Sequence, residues 1–139
     1  MTKIVVDIEE NPAYAHFEDS VCQSERRLNE KRGIIVAPPV YLLAMVRAGN
    51  AIGVLCIVND WMAIQALRVN VANRGHGIGS AILRAAEEEA CKRNCVGVHV
   101  STISEATSFF EKHGYAKAGE IPDSPRGKST YLYIKRLDS

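Results

Sequence analysis

The stretch Arg74-Gly75-His76-Gly77-Ile78-Gly79-Ser80 decides the fold, because it places three glycines at every second position between two segments of different type. The segment that ends near Val71 is β-like, and the segment that begins at Ile78 is strongly helical. Glycine has no Cβ, so the backbone N–H groups of such a loop can approach a ligand closely. The first N–H groups of a helix are unsatisfied and lie at the positive end of its dipole. The loop therefore predicts a binding site for a phosphate or pyrophosphate group.

Three kinds of phosphate-binding loop compete as interpretations of this stretch. A Walker-type P-loop requires a Lys followed by Ser or Thr after its last glycine, and Ser80-Ala81 supplies no Lys. A dinucleotide fingerprint has the spacing G-x-G-x-x-G, and here the third glycine comes one residue too early. The acyl-CoA pyrophosphate loop has the pattern Arg/Gln-x-x-Gly-x-Gly, which Arg74, Gly77 and Gly79 match. The structural alternative is a Gly-rich turn that only connects a strand to a helix.

Length and composition indicate one soluble globular domain over residues 1–139. Hydrophobic residues make up 47% and charged residues 24% of the chain, which suits a domain with a sizeable core. The net charge is +1 and the basic residues are scattered, so neither a nucleic-acid surface nor a membrane-surface helix is expected. No apolar run reaches the ~20 residues of a membrane span. The apolar run near Met1 is too short for a signal peptide, so we expect a cytoplasmic protein.

The cysteine and histidine positions predict no metal site. The cysteines lack the paired C-x-x-C spacing of a zinc site, and they are Cys22, Cys56, Cys91 and Cys95. Two of them, Cys91 and Cys95, lie four residues apart on a predicted helix and could in principle share a metal. Small buried side chains in a reducing compartment are the simpler interpretation. The histidines show no ligand spacing either, and they are His16, His76, His99 and His113.

The apolar pattern predicts an α/β protein with a mixed sheet. The expected strands are Lys3–Ile8, Val40–Arg47, Ala51–Val58, Trp61–Val71, Cys95–Ser101, Ala116–Ile121 and Thr130–Ile134. The expected helices are Ala13–Lys31 (as one helix or two), Ile78–Arg93 and Thr102–His113. Gly114 is a natural C′ residue for the last of these helices. The predicted order is therefore β-αα-βββ-α-β-α-ββ.

The chain resembles the GNAT superfamily of acyl-CoA-dependent N-acetyltransferases. The resemblance rests on the order of elements, the pattern Val69-x-x-x-x-Arg74-Gly75-x-Gly77-Ile78-Gly79, and the segment Phe109-Phe110-Glu111-Lys112-x-Gly114-Tyr115. The turn Pro125-Arg126-Gly127 and the ending Lys135-Arg136-Leu137 are similar to those of small single-domain bacterial members. The resemblance implies a mostly antiparallel central sheet flanked by helices. It also implies that acetyl-CoA, without a metal, donates an acetyl group to a primary amine by direct attack in a ternary complex.

The resemblance also implies which residues contact the co-substrate. Backbone N–H groups of the glycine loop would bind the CoA pyrophosphate, and the preceding strand would lie beside the pantetheine arm. The next strand, Val98 to Thr102, would splay away and open the slot for the thioester, whose carbonyl the Val69 N–H would polarise. The implied cofactor-binding residues are Leu67, Arg68, Val69, Arg74, Gly75, His76, Gly77, Ile78, Gly79, Ser80, Thr102, Phe110 and Lys112.

The sequence assigns neither a general acid nor a general base. Phe110 occupies the position where many family members carry Tyr, and Phe has no hydroxyl to donate. A nearby tyrosine could replace it only if the fold brings one to the CoA sulfur, and the candidates are Tyr115, Tyr131 and Tyr133. The strand before the loop holds no acid, although Gln65 could hold a water. The acids that could reach the slot from elsewhere are Glu18, Glu25, Glu30 and Asp123.

The acceptor is expected between the first helices and the segment Ile121–Lys128. Within that segment Pro122–Gly127 is either a lid or an ordinary hairpin turn, and Trp61 is either an acceptor contact or a core residue. Small amines, antibiotic amino groups, protein N-termini and lysines all stay open as acceptors. Two other functions compete: a non-catalytic acyl-CoA-binding or sensing module, and an unrelated ATP- or NAD-binding protein. Family members often dimerise through their C-terminal strands, so a homodimer is expected.

Overall fold

Seven strands form one sheet in the described part of the chain, which comprises residues 3–10, 27–33 and 39–138 of a computed structural model. The strands are β1 (Val6–Glu10), β2 (Val40–Val46), β3 (Ala51–Val58), β4 (Trp61–Val69), β5 (Gly97–Ile103), β6 (Ala116–Pro122) and β7 (Ser129–Arg136). Their spatial order is β1-β2-β3-β4-β5-β7-β6. The neighbours β4 and β5 are parallel, and every other neighbouring pair is antiparallel. The predicted mixed, mostly antiparallel sheet is confirmed.

In the described ranges, one helix follows β4 and another follows β5. They are α1 (Ile78–Lys92) and α2 (Thr107–Lys112), and single 3-10 turns precede them at Val71–Asn73 and Ser104–Ala106. A helical stretch at residues 27–31 is the described end of the predicted Ala13–Lys31 helix, most of which lies outside the described residues. Four other residues named in the sequence analysis also lie outside the described residues, namely Cys22, His16, Glu18 and Glu25.

Helix α1 packs against one face of the sheet, here called the helix face. Its buried side chains recur at helical spacing, as the apolar pattern predicts, and they are Ile78, Ile82, Leu83, Ala86 and Ala90. They meet buried strand residues that include Leu42, Leu55, Met62 and Val98. Gly53 allows this close approach, because a Cβ at that position would lie 2.9 Å from Ile82 Cγ2.

Strands β4 and β5 pair only at their first residues and then separate. The parallel register runs from Trp61–Gly97 to Ile64–Val100 and stops there. At the same point β4 carries a bulge, because Leu55 pairs with Ile64 while Val54 pairs with Ala66. The extra residue is Gln65, and a bulge of this kind bends the strand that carries it. The result is a split in the sheet, which is the splaying that the family resemblance implies.

Several element boundaries differ from the predicted ones, and tertiary pairing explains the differences. The first strand is Val6–Glu10 rather than Lys3–Ile8, because its partner β2 pairs with those residues. The strand predicted from Trp61 ends at Val69, since Val71–Asn73 turns into a 3-10 helix.

The boundaries around β5 shift in the same way. The Cys95 N–H bonds to the Ala90 carbonyl at the end of α1, so the strand begins at Gly97. Thr102 and Ile103 were predicted as the start of a helix, but they extend β5 by pairing with β7. The helix that follows is therefore shorter than predicted.

Candidate active site

A cavity of about 880 Å³ lies at the split between β4 and β5. It extends from the glycine loop along the end of β4 to the 3-10 turn after β5. Every implied cofactor-binding residue except His76 lines it, namely Leu67, Arg68, Val69, Arg74, Gly75, Gly77, Ile78, Gly79, Ser80, Thr102, Phe110 and Lys112. His76 is exposed and does not line the cavity. The fold thus brings the sequence motifs to one concave site.

The glycine loop presents the N-terminus of α1 to this cavity. Gly75 and Gly77 have φ angles of +85° and +79°, in the left-handed region that favours glycine. Gly77 caps α1, and no side chain bonds to the end of the helix. The first N–H groups of α1 therefore have no intrahelical partner and remain available to a ligand. A Cβ on Gly75 or Gly77 would meet no atom within 4 Å, so the loop faces free space.

Basic side chains lie beside the loop. The Arg74 Nε donates to the Val69 carbonyl across 3.3 Å and so ties the loop to the end of β4. Lys112 lines the same cavity from the last turn of α2. Together with the helix dipole, these two cations favour an anionic ligand such as a pyrophosphate.

The backbone edge of β4 faces the cavity beyond the split. The Asn70 N–H donates to the Asn50 carbonyl across 2.9 Å, so the backbone of Asn70 points toward β3. Backbone groups alternate between the two edges of a strand, so those of Val69 point the other way. The bond from Arg74 to the Val69 carbonyl agrees with that direction. Leu67, two residues earlier, presents its backbone to the same edge, where β5 no longer pairs with β4.

Ser80 and His113 form a hydrogen bond that the sequence did not predict. Ser80 Oγ lies 2.9 Å from His113 Nε2, and the pair joins the first turn of α1 to the end of α2. The His113 ring also packs edge-on against Phe109, with 5.0 Å between ring centroids. Phe109 in turn would lie 3.5 Å from a Cβ on Gly79. These contacts fix the wall of the cavity behind the loop.

Phe110 is a buried part of the cavity wall, and no tyrosine of the described ranges lines that cavity. The Phe110 ring packs edge-on against Tyr115, with 5.6 Å between ring centroids. The Tyr115 hydroxyl donates to Glu87 Oε2 across 3.2 Å, in the C-terminal half of α1. Burial, reinforced by the Glu87 carboxylate, raises the pKa of Tyr115 far above its usual range.

The other candidate tyrosines are also engaged elsewhere. The Tyr133 hydroxyl donates to Glu111 Oε1 across 3.2 Å, and burial together with that carboxylate raises its pKa. The Tyr131 ring lies under Lys117, whose Nζ is 4.9 Å from the ring centroid. None of these three tyrosines lines the cavity.

Glu105 is the one carboxylate among the described cavity-lining residues. Its Oε1 lies 2.8 Å from Lys128 Nζ, and the hydrogen bond from Lys128 lowers the pKa of Glu105. The sequence did not single it out, because a helix was predicted to start at Thr102. Glu105 could have been identified from its position directly after a strand that separates from the neighbouring strand.

The acids proposed from the sequence do not line the cavity in the described ranges. Asp123 Oδ1 accepts the Gly127 N–H across 3.1 Å and so closes the turn between β6 and β7. Thr130 Oγ1 donates to the Ser124 carbonyl across 2.5 Å in the same turn. No residue of Pro122–Gly127 lines the cavity, and the bonds within the segment fit the hairpin interpretation. Glu30 is exposed at the end of the helical stretch.

Trp61 is a packing residue at the far end of β4. Its ring lies against Gly97, where a Cβ would come within 2.6 Å of Trp61 Cζ3, and 6.3 Å from the His99 ring. It does not line the cavity. Trp61 is therefore a half-buried packing residue at the start of β4, outside both the cavity and the main core cluster.

The described residues bring no three or more His, Cys, Asp or Glu side chains into a group that could hold a metal ion. Their cysteines are free thiols, of which Cys56 and Cys95 are buried and Cys91 is exposed. Burial raises the pKa of Cys56 and of Cys95. None of the helices in the described ranges has the length and hydropathy that a bilayer span requires.

A glycine loop at a helix N-terminus, set beside a split in a mixed α/β sheet, is an arrangement that suits a phosphate-bearing ligand. The family model described as an acetyltransferase (GNAT) domain matches residues 28–117 of the 139. The chain therefore belongs to the GNAT family.

Two curated relatives are acetyltransferases by name. The chain is 38% identical over 78 residues to an acetyltransferase of Agrobacterium fabrum, and this matched region covers 55% of this chain and 57% of that protein. It is 35% identical over 80 residues to blasticidin-S acetyltransferase of Streptomyces morookaense, and this matched region covers 56% of this chain and 59% of that protein. The match thus spans little more than half the length of these curated relatives.

Solved structures share the fold over most of the chain. A proposed acetyltransferase of Agrobacterium tumefaciens has a TM-score of 0.70 and 26% identity, and the match covers 99% of this chain and 100% of that one. A proposed streptothricin acetyltransferase of Bacillus anthracis, in complex with acetyl coenzyme A, has a TM-score of 0.63 and 19% identity. That match covers 72% of this chain and 64% of the other, and it shows the fold alone.

Proposed function

We propose that the chain is an acetyl-CoA-dependent N-acetyltransferase that acts on a primary amine. The observation that carries the proposal is the cavity at the split, where the N-terminus of α1, the edge of β4 and the opening between the strands meet. Membership of the GNAT family and the names of its relatives support the proposal. We assign the activity to one domain over residues 1–139.

The co-substrate is proposed to lie along the helix face of the cavity. Its pyrophosphate would accept hydrogen bonds from the N–H groups at Gly77 to Ser80, with Arg74 and Lys112 neutralising its charge. The Ser80 hydroxyl, which is bonded to His113, would be a further polar group that faces the phosphates. The amide groups of the pantetheine arm would bond to the edge of β4 at Leu67 and at the Val69 carbonyl. The thioester would then reach the split.

The proposed reaction is a direct displacement at the thioester carbonyl. The neutral amine nitrogen attacks the carbonyl carbon, the C–N bond forms, the C–S bond breaks, and the CoA thiolate leaves. The Val69 N–H would donate to the developing oxyanion. Because Phe110 has no hydroxyl, the thiolate leaves without a tyrosine proton, which a thiol of pKa about 8.5 allows. The amine loses its proton to water, for which the Gln65 side chain at the bulge offers a hydrogen-bonding site.

The acceptor is proposed to be a small-molecule or peptide amine. Blasticidin-S acetyltransferase is a relative in sequence, so blasticidin S belongs in the first set of acceptors to test. The homodimer and the cytoplasmic location stay predictions from the sequence.

A second candidate function is a non-catalytic module that binds or senses acyl-CoA, and Phe110 favours it because the usual tyrosine is missing. A transfer assay separates the two candidates. The chain is incubated with acetyl-CoA and a panel of amines, free thiol is measured, and acetylated products are identified by mass. We expect thiol release that depends on the amine and matches the product formed. Tight binding of acetyl-CoA without transfer to any amine would favour the sensing module instead.

A further inference from the structure

The cavity at the split opens on both faces of the sheet. On β5, Val100 and Thr102 point to the helix face, because Val100 belongs to the same buried cluster as Ile78 and Ile82 of α1. Side chains alternate along a strand, so Ser101 and Ile103 point to the opposite face, here called the far face. Both residues line the cavity. The cavity therefore passes through the split from one face to the other.

Arg68 belongs to the far face. Gly53 points toward α1 and is paired with Leu67, so Leu67 lies on the helix face and Arg68, one residue on, lies on the far face. A Cβ on Gly79 of α1 would lie 3.9 Å from Val69 Cγ2, so Val69 is on the helix face, as this alternation requires. The Arg68 side chain is thus on the side of the sheet that does not carry the glycine loop. Besides His76, which does not line the cavity, the thirteen-residue cofactor set inferred from the family therefore contains Arg68 as a side chain that the fold directs to the other face.

Among the residues that the structure describes, Arg68 carries the charge on the far face of the cavity that no partner neutralises. The other charged lining residue near that face, Glu105, is paired with Lys128 at 2.8 Å. Arg68 lines the cavity, is exposed, and has no hydrogen bond or ion pair to any described residue. The remaining far-face lining residues are uncharged, and they are Ala66, Ser101, Ile103 and Thr130.

We infer that Arg68 binds a carboxylate of the acceptor, so that the acceptor is an amino carboxylate such as an amino acid or a related small amine. The inference rests on the proposed function and names the substrate class of the same site. The planar guanidinium matches a carboxylate with two parallel hydrogen bonds. With the co-substrate on the helix face, the amine of such an acceptor reaches the split from the far face. Ile103, which is 42% exposed, offers an apolar wall for the rest of the molecule.

Matched acceptors and variants test this inference. The acceptors are L-leucine with L-leucinamide, and β-alanine with its amide, so that each pair differs at the carboxylate. The proteins are the unaltered chain, Arg68→Gln, Arg68→Lys, and Arg136→Gln as a control. Arg136 pairs with Asp138 on the surface and does not line the cavity. Comparing one acceptor in two proteins removes the effect of its amine pKa.

We expect Arg68→Gln to raise the KM for the amino carboxylates about 10- to 100-fold, the range for loss of a hydrogen-bonded charged partner. The KM for the amides and for acetyl-CoA is expected to change less than about 2-fold, and Arg68→Lys is expected to recover part of the loss. Equal effects of Arg68→Gln on carboxylates and amides would overturn the inference and leave the proposed function standing. A rise confined to the KM for acetyl-CoA would assign Arg68 to the co-substrate and overturn it as well.

A binding measurement keeps the inference testable if no amine is acetylated, an outcome that overturns the proposed function. N-acetyl-leucine and its amide are titrated calorimetrically into the chain saturated with CoA. Binding of the carboxylate that weakens in Arg68→Gln and not in Arg136→Gln supports an anion site at Arg68. Equal binding of the acid and the amide, or binding by neither, overturns it.

Discussion

At the scale of single residues, Tyr115 shows how the position of a hydroxyl limits its chemistry. The ring is buried between Phe110 and the sheet, and its hydroxyl donates to Glu87, which also accepts from Lys135 at 3.0 Å. Burial and the neighbouring carboxylate raise its pKa, so the group is a neutral hydrogen-bond donor throughout the physiological range. Its role is in packing, and we expect it to take no part in proton transfer.

We predict that Tyr115→Phe lowers stability and leaves catalysis unchanged. The lost hydrogen bond to a charged acceptor is worth about 1–3 kcal/mol of unfolding free energy, and Glu87 keeps its ion pair with Lys135. The kcat for acetyl transfer is expected to change less than about 2-fold, because general acids contribute 10²–10⁴-fold only when they touch the reacting atoms. Denaturant unfolding and steady-state kinetics on the same preparation test both parts. A kcat loss of ~100-fold at unchanged stability would instead identify Tyr115 as the acid.

At the scale of elements, the base of the split depends on Gly97. This residue begins β5 at the point where it pairs with Trp61 of β4 and Arg136 of β7. A Cβ there would collide with the Lys135 carbonyl oxygen and with the Trp61 ring, 2.6 Å from its Cζ3. The carbonyl belongs to the backbone of β7 and cannot move without disturbing the sheet. Close approach of three strands below the opening thus requires a residue without a side chain.

We predict that Gly97→Ala destabilises the chain by about 3 kcal/mol or more, at the upper end of the cost of overpacking. The matched control is Gly119→Ala in β6, where the nearest atom to a new Cβ is Leu132 Cβ at 3.9 Å. The control is expected to change stability by less than about 1 kcal/mol. Thermal and urea unfolding of both variants supply the comparison. Equal stability of the two variants would contradict the close packing of β4, β5 and β7 at Gly97.

The same elements show what the sequence could and could not predict. The order of strands and helices and the glycine loop follow from local apolar periodicity and from glycine spacing, and the structure agrees with them. The predicted end of β5 was wrong, because Thr102 and Ile103 become part of the strand by pairing with residues almost thirty positions away. Glu105 and the bulge at Gln65 were missed for the same reason, since both depend on contacts between distant segments.

At the scale of the whole molecule, the histidine on the far face links stability to pH. His99 lies beside Trp61, and burial lowers its pKa below the usual value for histidine. The unfolded chain therefore takes up a proton at a higher pH than the folded chain does. Stability contributed by neutral His99 is present above the unfolded pKa of about 6.5 and is lost as the pH falls through the folded pKa.

We predict that unfolding free energy falls between about pH 7 and pH 5 and that His99→Gln flattens this slope. Glutamine does not titrate, so it removes the difference in proton uptake between the two states. The carboxylates with lowered pKa values, such as Glu105, act at lower pH and leave this window unaffected. Urea unfolding in a series of buffers measures the slope. An identical slope in His99→Gln would assign the pH dependence to another group.

The binding of acetyl-CoA at the glycine loop is tested most directly by calorimetric titration of the unaltered chain, Gly77→Asp and Gly49→Asp. Gly77 and Gly49 have φ angles of +79° and +78° and free space around them, so the backbone strain of the two substitutions is alike. Gly49 lies in the turn between β2 and β3 and does not line the cavity. We predict that the unaltered chain and Gly49→Asp bind acetyl-CoA in preference to ATP and NAD. Gly77→Asp is predicted to lose that binding, because its carboxylate repels the pyrophosphate. Equal binding by both variants, or no binding by the unaltered chain, would contradict the assignment of the loop.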